Sequence, residues 1–245
     1  MTKRRILSIS GPDARDFLQG LVTNDVARVS GGLVYAALLT PQGKYIADFF
    51  LAPFGDAILL DVAEPLADTL RQRLMMYKLR ANVSIESMEL HLQRGLGTAP
   101  ADGWTDPRHS ELGWRAYRDT PQEHDDTDWT ALRVTHLVPE SGVELTPDTF
   151  ILEAGFERLD GVDFRKGCYV GQEVTARMKH KTSLRKGLAR VSLGGDATPG
   201  TPIEAAGKSA GTLHTVAGAE GIAYLRFDRA TGEMRAGETP VRMID

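Results

Sequence analysis

Near Thr182 the texture of the sequence changes, and that change limits the folds open to it. Upstream, apolar stretches of strand length are separated by segments of helical period. Downstream, short apolar stretches alternate only with glycine-rich turns. Residues 6–9 alternate apolar and polar side chains. Ser10-Gly11-Pro12-Asp13 then predicts a helix start, with Ser10 as cap and Ala14, Phe17, Leu18 and Leu21 on one face. Residues 34–40, 44–52 and 57–62, joined by Pro41-Gln42-Gly43 and Pro53-Phe54-Gly55-Asp56, predict an antiparallel meander. A second helix opens at Glu64-Pro65, with Leu66, Leu70, Leu74 and Tyr77 as its buried stripe. Residues 83–86 and 89–93 predict two more strands, whereas 95–113 and 146–161 read as irregular. Helices set between antiparallel strands imply an α+β fold. Past Thr182, residues 187–193, 201–206, 211–216, 221–228 and 240–244 predict a small barrel or sandwich. The expected domains are therefore 1–181 and 182–245.

The chain of 245 residues is long enough for a substantial core, and its 42% hydrophobic and 25% charged fractions are ordinary for a globular protein. A formal net charge of −4 argues against direct nucleic-acid binding, which calls for a basic surface. The single cysteine excludes an internal disulfide and suggests a reducing compartment. The N-terminal apolar stretch is too short for a signal core, and no run approaches the roughly 20 residues that span a bilayer. These features lead to the expectation of a cytoplasmic protein with no membrane partner.

That cysteine lies in Lys166-Gly167-Cys168-Tyr169-Val170-Gly171-Gln172-Glu173. Two glycines bracket it, which permits tight backbone geometry. From Gln172 to Lys181 the residues favour a helix, with Glu173 near its start and Arg177, Lys179 and Lys181 near its end, matching the helix dipole. A thiol just ahead of a helix N-terminus, two residues from Lys166, has two causes for a lowered pKa and hence for reactivity. The competing reading is a small buried hydrophobe. One cysteine cannot hold an iron–sulfur cluster, which normally takes about four, so any cluster contact needs ligands from a partner. The histidines show no zinc-ligand spacing around Cys168, and no stably bound metal is expected.

The octet from Lys166 to Glu173 resembles the signature of the YgfZ family, and the likeness extends through Phe17-Leu18-Gln19-Gly20-Leu21-Val22-Thr23-Asn24-Asp25-Val26, Leu38-Leu39-Thr40-Pro41-Gln42-Gly43-Lys44 and Gly221-Ile222-Ala223-Tyr224-Leu225-Arg226. The resemblance implies the three-lobed fold of the glycine-cleavage T-protein with a C-terminal β-barrel, tetrahydrofolate as cofactor, and iron–sulfur client proteins or assembly machinery as partners. It implies Cys168, Lys166 and Asp48 as the chemical residues, and Trp129, Asp48, Asn24, Tyr169, Gln172, Glu173 and Arg177 around the folate. Trp129 offers an indole face for a flat ring, and Asp48 aligns with the T-protein's catalytic aspartate. Thr135 stands where that protein carries a folate-binding glutamate, and its Gly-Tyr-Thr-Gly-Glu segment is replaced here by residues 112–117. Three readings follow, in order: an assembly factor acting through Cys168, a folate-dependent aminomethyltransferase acting through Asp48, and a folate-binding module in which Cys168 only packs.

Overall fold

Alternation along the 34–63 meander sends two different sets of side chains to the two faces of one sheet. In the computed structural model, which describes residues 3–180 and 183–244, strands β1 (Arg4–Ser10), β2 (Val34–Leu39), β3 (Tyr45–Phe54), β4 (Ala57–Ala63) and β5 (Ser84–Met88) form an antiparallel sheet in the order β2-β3-β4-β1-β5. Lys181 and the division expected after it lie outside the described residues. One face carries Leu7, Ile9, Val34, Ala36, Phe49, Leu51, Leu60 and Val62, packed with Ala14 and Leu18 of helix α1 (Ala14–Gln19) and Ala67, Leu70 and Leu74 of helix α2 (Glu64–Lys78). Burying these apolar groups supplies most of the driving force, at roughly 25 cal/mol per Å².

The other face is of a different kind. Register places Tyr35 beside Phe50 and Phe50 beside Asp61, and the two-residue period puts Asp48 on that same side. Asp61 is fully buried. Its carboxylate accepts from Arg4 Nε (2.6 Å), Arg115 Nη2 (2.7 Å) and the Tyr117 hydroxyl (3.0 Å). The guanidinium carbons of Arg115 and Arg108 stand 4.0 and 4.7 Å from the Phe50 ring centre, and Arg108 is paired with buried Asp106 at 2.7 Å. Burial alone raises a carboxyl pKa, but Arg4 and Arg115 outweigh it and hold Asp61 down at about 2. Arg115 and Tyr117 belong to β8 (Trp114–Arg118), which pairs with β6 (His91–Gly95) and β7 (Trp104–Thr105) in a three-stranded sheet.

In the second half, helix α3 (Trp129–Thr135) is followed by turns and by helix α4 (Gln172–Lys179). Strands β9 (Lys186–Leu193), β10 (Pro202–Ala205), β11 (Lys208–Ala217), β12 (Glu220–Arg226), β13 (Met234–Ala236) and β14 (Thr239–Met243) close into a barrel in the order β10-β11-β12-β9-β14-β13. Its interior is filled by residues such as Val191, Leu213, Leu225 and Val241. Arg133 of α3 is buried against the carboxylates of Glu144 and Glu140, and Glu144 also accepts from the Thr215 hydroxyl of β11. By contacts the chain divides into two interleaved units, Met1–Thr127 with Phe156–Val174, and Asp128–Gly155 with Thr175–Asp245. The barrel strands fall wholly in the second.

The architecture is the expected α+β with a C-terminal barrel, and it departs from the sequence reading in detail. Asp13, not Ser10, stands at the start of α1, and its carboxylate accepts from the Asn82 amide at 2.7 Å instead of capping the helix. The strand expected at 89–93 leaves the large sheet and pairs with β8. The segment 95–113 holds β7 and a 3₁₀ turn at Ser110–Leu112. The barrel gains β13, whose three residues are too few to show a period.

Candidate functional site

Residues 161–171 form turns and bends without helix or strand, so their shape depends on what grips them. The grip comes from the stretch between α1 and β2. The Thr23 hydroxyl donates to Gly161 O (2.7 Å), and Thr23 O accepts from the Asp163 amide (3.0 Å). Asn24 Nδ2 donates to Asp160 O (2.6 Å) and Tyr35 O (2.8 Å), while its Oδ1 accepts from the Asp25 amide and Arg28. Arg28 pairs with the Asp160 carboxylate. Gln19 holds this strip in shape, accepting from the Val26 amide (2.8 Å) and donating to Asp25 (3.1 Å).

Lys166 is the next anchor. It is buried, and its ammonium donates to Gln19 O (2.7 Å) and Val22 O (2.5 Å), with the nitrogen 5.2 Å from the Tyr169 ring centre. Burial lowers its pKa to about 8, partly offset by Asp25 and Asp163. The charge is thus committed to main-chain carbonyls of the N-terminal strip.

The far side of the loop is held by two glycines against each other. At Gly171 φ is +83°, and a Cβ there would lie 2.6 Å from Thr40 O and 3.2 Å from Gly43 Cα. At Gly43 φ is +75°, and a Cβ would lie 2.9 Å from Val174 Cβ. Both positions need the left-handed backbone and the absence of a side chain, so that the 40–44 turn and the start of α4 can touch. Between these two grips Cys168 is exposed, which removes the reading of the thiol as a small buried hydrophobe.

Asp48 is buried on β3 with its carboxylate between two phenols, accepting from Tyr45 (2.6 Å) and Tyr35 (3.0 Å). Burial, with Asp48 alongside, pushes the Tyr35 hydroxyl well above its ordinary pKa, so it stays a donor. The Tyr35 ring stacks on Phe156 at 5.0 Å. Tyr35 therefore ties Asp48 to Asn24, since its carbonyl takes the Asn24 amide and its hydroxyl the Asp48 carboxylate.

Of the expected site residues, Cys168, Lys166, Asp48, Asn24, Tyr169, Gln172 and Glu173 belong to the first unit, and Trp129 and Arg177 to the second. Trp129 is buried in the first turn of α3, and Tyr169 is buried beside Lys166. Gln172 is half-buried at the start of α4, its amide donating to Tyr169 O at 3.2 Å, while Glu173 and Arg177 are exposed. The side chain of Asn24, which the resemblance placed at the folate, is fully engaged in bracing main chain. Sequence reasoning missed Gln19 and Thr23 as holders of the loop and Tyr35 and Tyr45 as partners of Asp48. The only signal for the first pair was the polar run inside an otherwise apolar N-terminal motif.

Residues 185–245 match the family described as CAF17, C-terminal beta-barrel domain. The mouse protein named iron-sulfur cluster assembly factor IBA57, mitochondrial, is 32% identical over 288 residues, covering 98% of this chain and 80% of that protein. Its human counterpart is 30% identical over 284 residues, covering 96% and 79%. The IBA57 homolog of Pyricularia oryzae is 33% identical over 216 residues, 76% of this chain and 54% of the relative, so the chain spans about half the length of that fungal protein. Among solved structures, the glycine cleavage system aminomethyltransferase T from Bartonella henselae superposes with a TM-score of 0.77 at 13% identity, covering 97% and 81% of the two chains, which shows a shared fold. The relatives carry the name IBA57 where the motif resemblance pointed to YgfZ. The mouse, human and fungal relatives are named mitochondrial, which overturns the expectation of a cytoplasmic location.

Proposed function

Because this chain belongs to the IBA57 family of iron–sulfur cluster assembly factors, we propose that it offers Cys168 as a single thiolate to a cluster whose remaining ligands come from a partner protein, with a reduced folate as its cofactor. The observation that carries this reading is one exposed cysteine on a loop gripped from both sides. A thiolate is one of the roughly four ligands a cluster takes, so the cluster is cargo shared with another chain. Among the described residues no group of three or more His, Cys, Asp or Glu side chains gathers to hold a metal.

The residues fit a folate in two respects. Asp48 is a buried carboxylate oriented by two phenol donors, the kind of acceptor a pterin N–H needs. Trp129, buried in the second unit, carries an indole of the kind that stacks on a flat ring. When bound, a reduced folate contributes nitrogen atoms able to take up one-carbon units. In the first unit Asp48 is the residue that would hold it, while Asn24 and Lys166 serve the loop.

Replacing Cys168 with alanine should leave the melting temperature unchanged. In cells lacking their own copy it should reduce iron–sulfur enzyme activity to the level of cells without the protein. Full rescue by Cys168→Ala defeats the thiolate role. Tetrahydrofolate titrated into the purified protein should quench tryptophan fluorescence, and Trp129→Phe should remove that quenching. Quenching that persists in the variant places the ligand elsewhere.

A further inference from the structure

The outward side of α2 carries an arrangement that its seat on the sheet does not explain. Ala67, Leu70 and Leu74 face inward. At 3.6 residues per turn, the opposite side of its last two turns presents Met75, Leu79 and Met76, and these are 47%, 88% and 61% exposed. Arg71 and Lys78 lie along one flank of this apolar crest and Arg73 along the other, with Arg80 just beyond the helix. No acidic residue occurs between 69 and 85, although the chain carries a net charge of −4.

Leu79 adds a second, independent observation. It follows α2 as its C-terminal cap with φ at +43° and ψ at −107°, a positive-φ backbone that glycine adopts freely and leucine only under strain. A large apolar side chain is thus held in a disfavoured backbone position and left in water. Strain of this kind is kept where it serves a function, which points to a contact outside the chain.

We propose that this crest docks a protein partner presenting an apolar groove rimmed by aspartate and glutamate. The inference rests on the reading of this chain as an assembly factor that acts together with another protein. Charge complementarity selects the partner: cations on both flanks of an apolar ridge match an acid-rimmed groove. A symmetric contact with a second copy sets crest against crest and brings like charges together. An anionic membrane fits less well, because the exposed Asp68, paired with Arg5, lies on the same outward side about two turns before Met75 and confines the unpaired cations to about 15 Å of helix.

The test places p-benzoylphenylalanine at position 76 in the full chain, irradiates cells that depend on it, and identifies the cross-linked species by mass spectrometry. The captured protein is then purified and titrated against wild type, Leu79→Gly, the double variant Arg71→Glu/Arg73→Glu, and Cys168→Ala. Leu79→Gly and the arginine pair should bind about tenfold more weakly or worse. Wild-type affinity should fall as salt rises, and with the captured protein free of metal, so that Cys168 has nothing to ligate, Cys168→Ala should bind as wild type. Leu79→Gly should melt at or above the wild-type temperature, since glycine relieves the strain. The proposal is overturned by adducts with lipid or a second copy alone, by no adduct at all, by a captured protein that binds Leu79→Gly as tightly as wild type, or by a lower melting temperature for Leu79→Gly. Rescue of iron–sulfur enzyme activity by Cys168→Ala is a separate outcome that defeats the thiolate role and leaves the docking result standing.

Discussion

Asp61→Ala is expected to cost about 3–5 kcal/mol of unfolding free energy, the usual penalty for removing one partner of a buried ion pair. The substitution leaves Arg115 buried over Phe50 with Asp106, 3.7 Å away, for charge compensation, and it deprives Arg4 Nε and the Tyr117 hydroxyl of their acceptor, while Arg4 Nη2 keeps the main-chain carbonyl of residue 61. Urea denaturation followed by circular dichroism measures the loss, and a change under about 1 kcal/mol contradicts this account. The same residue sets an acid dependence. Its folded pKa, about 2, lies below the unperturbed value of about 3.9. Its contribution is therefore present above about pH 4 and lost as pH falls through about 2. The stability gap between wild type and Asp61→Ala should narrow over that window.

Gly171→Ala is expected to abolish function while leaving the thiol in the chain. The new Cβ meets Thr40 O at 2.6 Å and Leu39 Cβ at 3.0 Å in a backbone region that alanine avoids, so the loop has to lift from the 40–44 turn. Strain of this type costs roughly 1–3 kcal/mol, which a domain of this size survives. The fold should persist with a lowered melting temperature, and one titratable thiol should remain, yet rescue of iron–sulfur enzymes should fail as it does for Cys168→Ala. Gly167→Ala is the control, because a Cβ there meets nothing within 4 Å; it should melt and rescue like wild type. If Gly171→Ala rescues fully, the placement of the loop is irrelevant to the activity.

How far the sequence revealed this molecule depends on whether a residue's role is local. The meander was legible because residues 34–62 are long apolar runs interrupted by proline and glycine, and the barrel because its short apolar stretches are separated by glycine-rich turns. β7 and β13 were not, since two or three residues carry no period. At the site, Cys168 and its glycines stood out as a motif, and the close approach of Gly171 to Gly43 explains why two separate segments both carry glycine. The partners of Asp48 were hidden: Tyr35 and Tyr45 belong to neighbouring strands, and only the register turns both hydroxyls to one carboxylate. Asn24 and Lys166 have the side chains of ligand-binding residues but satisfy main-chain groups more than 130 residues away in sequence. Such bonds follow from the fold and cannot be read from residue type.

The barrel's ring is completed by pairing β9, which opens it, with β14, a few residues from the chain's end. The last strand therefore acts as a keystone. Deleting it would strip one side of β9 and one side of β13 of their pairing partners at once, turning a surface without exposed rims into one with two. Loss of residues 239–243 is thereby a route to self-association through strand pairing.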